Sequence, residues 1–249
     1  PKIVVNTKKT VRFHYSFTEE GKVLRDFILS QKPSSVCLIY SSDPSTSFEF
    51  DSIISLGLER ENILVAKERF SVGTRDFKPL SNKVRNENFD LFVIGGYGSD
   101  IPFILKDLKA NGIDANSRKI YGNIGFIEIP EAASKELYEG TMFTAPPFIV
   151  EPSDNSQAIN FREKFIQTSN NHQIGYAAYY AYDLIQILAQ IIKKHNSTDP
   201  LLIRKHFPGE YLGLGGIYKV ENSGEVISEV RMGTYSQNKF YPLELVETK

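Results

Sequence analysis

The chain has 249 residues, 41% of them hydrophobic, enough for one large domain or two smaller ones with a real core. Twenty-nine Lys and Arg balance 30 Asp and Glu for a formal net charge of -1, with no basic run, which argues against nucleic acid and anionic membranes as main partners. No apolar stretch reaches membrane-spanning length; the most apolar segment, 185–192, is interrupted by Gln186 and Gln190.

From about Ser16 to Thr144 helical and strand patterns alternate. Helix-like segments fall at 19–30, 47–56, 77–86, 100–111 and 130–137, and strand-like segments at 36–40, 63–68, 91–94, 119–121 and 141–144. Such alternation predicts βαβ units, a parallel sheet and right-handed crossovers. Gly57 and Gly112 stand where glycine closes helices. The single cysteine, Cys37, lies inside the first strand and reads as a small buried hydrophobe, without an internal disulfide or a zinc site.

The most informative stretch runs from Asn88 to Asp100. The apolar run Leu91-Phe92-Val93-Ile94 ends in Gly95-Gly96-Tyr97-Gly98, and a helical pattern at Ile101, Ile104, Leu105 and Leu108 follows. That is a buried parallel strand, a tight turn and a helix. Open α/β sheets bind ligands outside the carboxyl ends of their strands, so Tyr97 should be solvent-accessible where a ligand would sit.

Composition changes at Ala145-Pro146-Pro147, and the two prolines predict an extended crossing segment over 145–153 between lobes. Helices are expected at 157–167, 175–195 and 200–207, with a polar loop at 168–173 and a glycine-rich loop at 209–216. Two strands, 217–220 and 226–235, should form a terminal hairpin through Asn222-Ser223-Gly224. Tyr176, Tyr179, Tyr180 and Tyr182 cluster on the long helix, and packing against a sheet explains them better than a binding patch.

Signs of chemistry are sparse. There is no G-x-x-x-x-G-K-[ST] phosphate loop and no G-x-S-x-G elbow, and Gly96-Tyr97-Gly98 lacks the third glycine of a dinucleotide fingerprint. His14, His172, His195 and His206 show no metal-ligand spacing. A phospho-receiver would need an aspartate where the central strand ends in Gly95-Gly96.

Several stretches in order resemble the type I periplasmic binding proteins, specifically the branched-chain amino-acid receptors of ABC transporters. They are Gly73-Thr74-Arg75-Asp76-Phe77, Phe89-Asp90 through Gly95-Gly96-Tyr97, Leu108-Lys109-Ala110-Asn111-Gly112, Glu139-Gly140-Thr141, Gly175 through Asp183, Gly215-Gly216 and Asn222-Ser223-Gly224. The resemblance implies an α/β fold: a parallel Rossmann-like sheet flanked by helices over 13–144 as the ligand-binding lobe, and a partial second lobe from 1–12 and 145–249. The chain is expected to begin near the first hinge, at Val11-Arg12-Phe13, so that the opening part of the first lobe is absent.

The same resemblance implies a non-enzymatic solute-binding protein that holds an amino acid or amide in an interlobe cleft, with no cofactor or metal and an ABC permease as partner. Tyr97 matches a ligand-contacting aromatic. Ser47 and Phe48 fall where the family often has Tyr-Gly, and Asn123 and Ile124 lie near where amino-acid-binding members place an acidic residue. Neither pair matches that pattern; Glu128 is a substitute carboxylate a turn away. A sensory or interaction domain that kept the fold and lost the solute is the alternative. The place implied is periplasmic or extracellular; no signal-peptide pattern is seen at Pro1, which leaves open a cytoplasmic protein, a processed product or a trimmed chain. The apolar stripe Ala177, Tyr180, Ala181, Leu184, Ile185, Leu188, Ile191, Ile192 needs a cover, so a homodimer or association with a missing N-terminal portion is expected.

Overall fold

The structure, a computed structural model, describes residues 10–14, 16–152, 156–169 and 174–243. The chain divides into two compact units, 17–145 with 230–249, and 1–16 with 146–229.

The larger unit begins with helix α1 (Phe17–Ser30), whose Leu24, Phe27 and Ile28 recur at helical spacing and are buried. Strand β1 (Ser35–Ser41) follows, then α2 (Pro44–Ser47), a π-helical segment (Phe48–Ser55) and α3 (Leu56–Arg60). Next come β2 (Leu64–Phe70), α4 (Lys78–Arg85), β3 (Leu91–Gly95), α5 (Ile101–Ala110), β4 (Lys119–Gly122) and β5 (Met142–Ala145). All of β3 is buried, as befits a parallel strand covered on both faces. Strands β2, β1, β3, β4 and β5 lie side by side and parallel. This is the parallel sheet expected from the alternation. Residues alternate between its faces. Val36, Leu38, Tyr40, Leu91, Val93 and Tyr121 thus share one core with α1, Phe50, Ile54 and Leu58.

Several expectations needed correction. The segment 130–137 forms turns and a short 3-10 helix (Lys135–Leu137) instead of an α-helix. Its weak apolar pattern gives no face to bury. The helix expected from Ser47 starts earlier, at Pro44. Asp43 caps it by accepting from the backbone N–H of Ser45 and Thr46 at 3.0 and 3.1 Å. The predicted strand 226–235 is two strands, β8 (Val226–Ser228) and β9 (Arg231–Ser236). Strand β9 pairs antiparallel with β5, and β10 (Lys239–Pro242) pairs with β9. These last strands therefore extend the larger unit's sheet, although 145–249 as a whole is expected in the other lobe. The edge of β5 supplies the hydrogen bonds, a partner distant in sequence.

The smaller unit contains α6 (Pro147–Val150), α7 (Ser156–Thr168), α8 (Tyr176–His195), α9 (Pro200–His206) and a three-stranded antiparallel sheet of β6 (Gly209–Gly213), β7 (Gly216–Val220) and β8. Helix α6 occupies part of the segment expected to be extended. Pro147 sits at its first position, where a missing N–H costs nothing. Strand β6 replaces most of the expected glycine-rich loop, because β7 supplies its partners. The expected turn at 222–224 is present, with Gly224 at φ 93°. Tyr179 and Tyr180 are buried, the first stacked on Phe148 at 4.3 Å and the second hydrogen-bonded to Ser228 Oγ at 3.2 Å. The covered face of α8 is Tyr179, Tyr180, Asp183, Ile187 and Ile191; Ile185, expected in the covered stripe, is exposed. Residues 1–9 of the partial second lobe, the end of the expected crossing segment at 153, and positions 170–173 of the expected polar loop, with His172, lie outside the described residues.

Cys37 is fully buried, and its thiol is pushed up to about 12 by that burial and, secondarily, by the carboxylates of Glu68 and Glu87. A thiol reagent should leave it unmodified in the native protein and react fully once urea unfolds the chain. Stoichiometric reaction under native conditions would show that β1 is not the covered strand described.

Candidate functional site at the carboxyl edge of the sheet

The parallel strands of the larger unit end in line. Ser41 lies opposite Phe70, Tyr40 opposite Gly95 and Ile94 opposite Gly122. The turns that follow β1, β2, β3 and β4 therefore stand side by side along one edge.

Tyr97, in the turn after β3, is 44% exposed, and Phe48, at the start of the π-helical segment, is 38% exposed. Both expected aromatics thus reach solvent. Ser47 is partly buried, with its hydroxyl donating to the Ser41 carbonyl at 3.4 Å. Burial pushes the Tyr97 phenol up, and the neighbouring Asp43 carboxylate adds to it. Asp43 was not singled out from the sequence, where its Asp-Pro step reads as a turn signal. Glu128 is exposed, and its backbone meets the same turn: a Cβ at Gly98 would fall on the Glu128 carbonyl oxygen. The carboxylate that acts most strongly on Tyr97 is therefore that of Asp43, with Asp100 adding less.

Asn123 and Ile124 do not line this surface. Both are buried. Asn123 Oδ1 accepts from Gly96 N at 3.3 Å and Gly125 N at 3.2 Å, and Asn123 N donates to the Ile94 carbonyl at 3.2 Å. Its side chain ties the turn after β4 to the turn that carries Tyr97. Ile124 N donates to Glu20 Oε1 at 2.6 Å. A Cβ at Gly125 would fall on the Gly96 carbonyl oxygen, so the two turns are in backbone contact.

After β2, the stretch Gly73–Phe77 is held by Asp100, which is fully buried. Asp100 Oδ1 accepts from Arg75 Nη1 at 2.9 Å and Gly73 N at 3.2 Å, while the Arg75 guanidinium lies over the Phe103 ring, 4.7 Å from its centroid. Arg75 is thus neutralised by a partner of its own. Among the described residues no group of three or more His, Cys, Asp or Glu is placed to hold a metal ion, and no helix is long and apolar enough to cross a membrane.

Comparison with known proteins agrees with this architecture. A leucine-, isoleucine-, valine-, threonine- and alanine-binding protein of Pseudomonas aeruginosa is 27% identical over 134 residues, covering 53% of this chain and 34% of the relative. The leucine-binding protein LivK of Thermotoga maritima superimposes with a TM-score of 0.77 at 18% identity, over 96% of this chain and 68% of its own. The isoleucine complex of LivJ from Streptococcus pneumoniae gives 0.74 at 19%, over 92% and 66%. A benzoate complex of a Rhodopseudomonas palustris solute-binding protein gives 0.81 at 12%, over 97% and 67%. At these identities the structural matches establish the fold alone. The chain spans about a third of the length of the curated relative and about two thirds of the solved ones. The family model for periplasmic binding proteins, which are binding proteins and not enzymes, matches residues 5–207, and the chain belongs to that family.

Proposed function

We propose that this chain is a solute-binding protein of an ABC importer, acting in the periplasm or outside the cell, and that it holds a small amino acid non-covalently at the carboxyl edge of β1, β3 and β4. Tyr97, Phe48 and Ser47 supply the contact surface, and Asn123 and Ile124 hold that surface from beneath. One observation carries the reading: the half-exposed Tyr97 stands beside the Asp43 carboxylate, whose Oδ2 is buried without a hydrogen-bond partner among the described residues, while Arg75 is occupied by Asp100. Such a surface suits the ammonium group of an amino acid and disfavours a simple carboxylate such as benzoate. An ABC permease is the implied partner. Exposed Leu212 and Ile217, paired across β6 and β7, favour self-association of the smaller unit.

Isothermal titration with the aliphatic amino acids, small amides, benzoate and 4-hydroxybenzoate tests the reading. Heat is expected from at least one aliphatic amino acid. Tyr97→Ala should weaken that binding at least about tenfold, or 1.4 kcal/mol, while changing stability by less than about 1 kcal/mol. Heat only from the aromatic acids would reverse the ligand class. No heat from any of them would favour the sensory or interaction role. A loss of stability typical of a deleted core aromatic, with affinity intact, would remove Tyr97 from the site.

A further inference from the structure

Two glutamates lie fully buried directly behind the turns that carry the candidate site. Glu20 is in the first turn of α1 and Glu49 is in the π-helical segment. Gly21 lets these two helices approach: a Cβ there would lie 3.0 Å from Glu49 Cγ and 3.2 Å from Ile53 Cγ2. Alanine at that place would serve α1 better by about 1 kcal/mol, so the close approach has a cost in helix propensity.

The hydrogen bonds are unevenly shared. Glu20 Oε1 accepts from Ile124 N at 2.6 Å and from Thr144 Oγ1 at 2.5 Å. Glu20 Oε2 and both Glu49 oxygens have no hydrogen-bond donor among the described residues. Asn123 favours the ionised form of Glu49, though without a hydrogen bond of ordinary length and angle. Two buried carboxylates with orphaned oxygens are unfavourable, because burial penalises each charge and each charge repels the other. A single proton on Glu49 resolves this. It removes one of the two charges, while Glu20 Oε1 keeps its two donors.

We infer that Glu20 and Glu49 act as one coupled carboxyl pair that retains a proton and positions the 123–125 and 96–97 turns, and through them Tyr97. The pair is a positioning device, since neither carboxyl reaches the surface. Its link to ligand affinity rests on the reading of Tyr97 given above; its titration does not.

The electrostatics agree. Burial raises Glu20 to about 7, against the lowering effect of Thr144 and the Ile124 amide. Burial and then Glu20 raise Glu49, with Asp43, from the loop after β1, adding to the rise. No cation counters them from α1, the π-helical segment, β4 or β5 among the described residues. Both folded-state values lie above the unfolded one, so the folded protein holds the extra proton. The resulting stability is complete below about pH 4.5 and is lost as pH rises through about 7.

Urea unfolding of wild type and Glu49→Gln across that interval is one test. The carboxamide cannot lose the proton. The ratio of wild-type to variant unfolding constants should therefore rise about tenfold per pH unit between about pH 5 and 7. A ratio independent of pH would overturn the inference. Carbon-13 NMR of glutamate-labelled wild-type protein is the second test, and it holds even if the variant, or Glu20→Gln in its place, does not fold. A carboxyl carbon titrating above about pH 6 is expected, with the amide signals of Gly96, Ile124 and Gly125 moving at the same midpoint. Glutamates that all titrate near the ordinary value would refute the retained proton. A high midpoint with those amides unmoved would refute the positioning role. Neither test uses a ligand, so failure of the amino-acid reading would leave both results standing.

Discussion

Asp183→Ala should destabilise the smaller unit by roughly 3 kcal/mol or more. Asp183 is buried on α8 and accepts three hydrogen bonds, from Leu214 N, Gly215 N and Tyr218 Oη, each at 2.8 Å. These fasten the turn between β6 and β7 to the helix. The packing leaves no room for a substitute: a Cβ at Gly213 would fall on the Asp183 carboxylate, and one at Gly215 on the Tyr218 hydroxyl. Alanine strands three buried donors, each of which costs about 1–3 kcal/mol when left unpaired, with any water that enters recovering part of it. Asp183→Asn retains one acceptor oxygen and should lose about half as much. Urea unfolding followed by circular dichroism measures both. Equal stability of wild type and Asp183→Ala would mean that the turn is held by something else.

Gly125→Ala should cost about 2–3 kcal/mol and weaken ligand binding as well. Its Cβ would meet the Gly96 carbonyl oxygen, a backbone atom that cannot rotate away as a side chain can. Relief requires the turns after β3 and β4 to separate. That breaks the Asn123 bridge to Gly96 N and Gly125 N and moves Tyr97. Tyr97→Ala and Gly125→Ala should therefore both lower affinity, but only the second should lower stability appreciably. A Gly125→Ala protein as stable as wild type would show that the two turns are not in contact.

The parallel strands were legible because burial on both faces leaves an unbroken apolar run, as in 36–40 and 91–94. Elements whose hydrogen bonds come from far along the chain were not. Strand β6 reads as a glycine-rich loop until β7 is beside it, and β9 leaves its apparent hairpin for the edge of β5. The β9–β10 turn is made by Gln237 and Asn238, at φ 49° and 61°, without the glycine that usually announces such a turn. At the candidate site, Tyr97 could be found because a strand-terminal Gly-Gly-Tyr turn marks a sheet edge. Asn123 and Ile124 were found by resemblance, but the structure gives them a supporting position. Glu20 and Glu49 carry no such signal. A glutamate in a helix ordinarily reads as a solvated residue, and only the glycine contact between α1 and the π-helical segment makes these two a buried pair.

The most direct test of amino-acid binding at the sheet edge is a proton–nitrogen NMR titration of this chain with leucine, isoleucine, valine, threonine and alanine, beside benzoate. One of the amino acids should shift the amides of Ser47, Phe48, Gly96, Tyr97 and Gly98 together, saturably, and with the shifts reduced by Tyr97→Ala. Saturable shifts confined to the smaller unit, or shifts at the sheet edge with benzoate alone, would contradict the account.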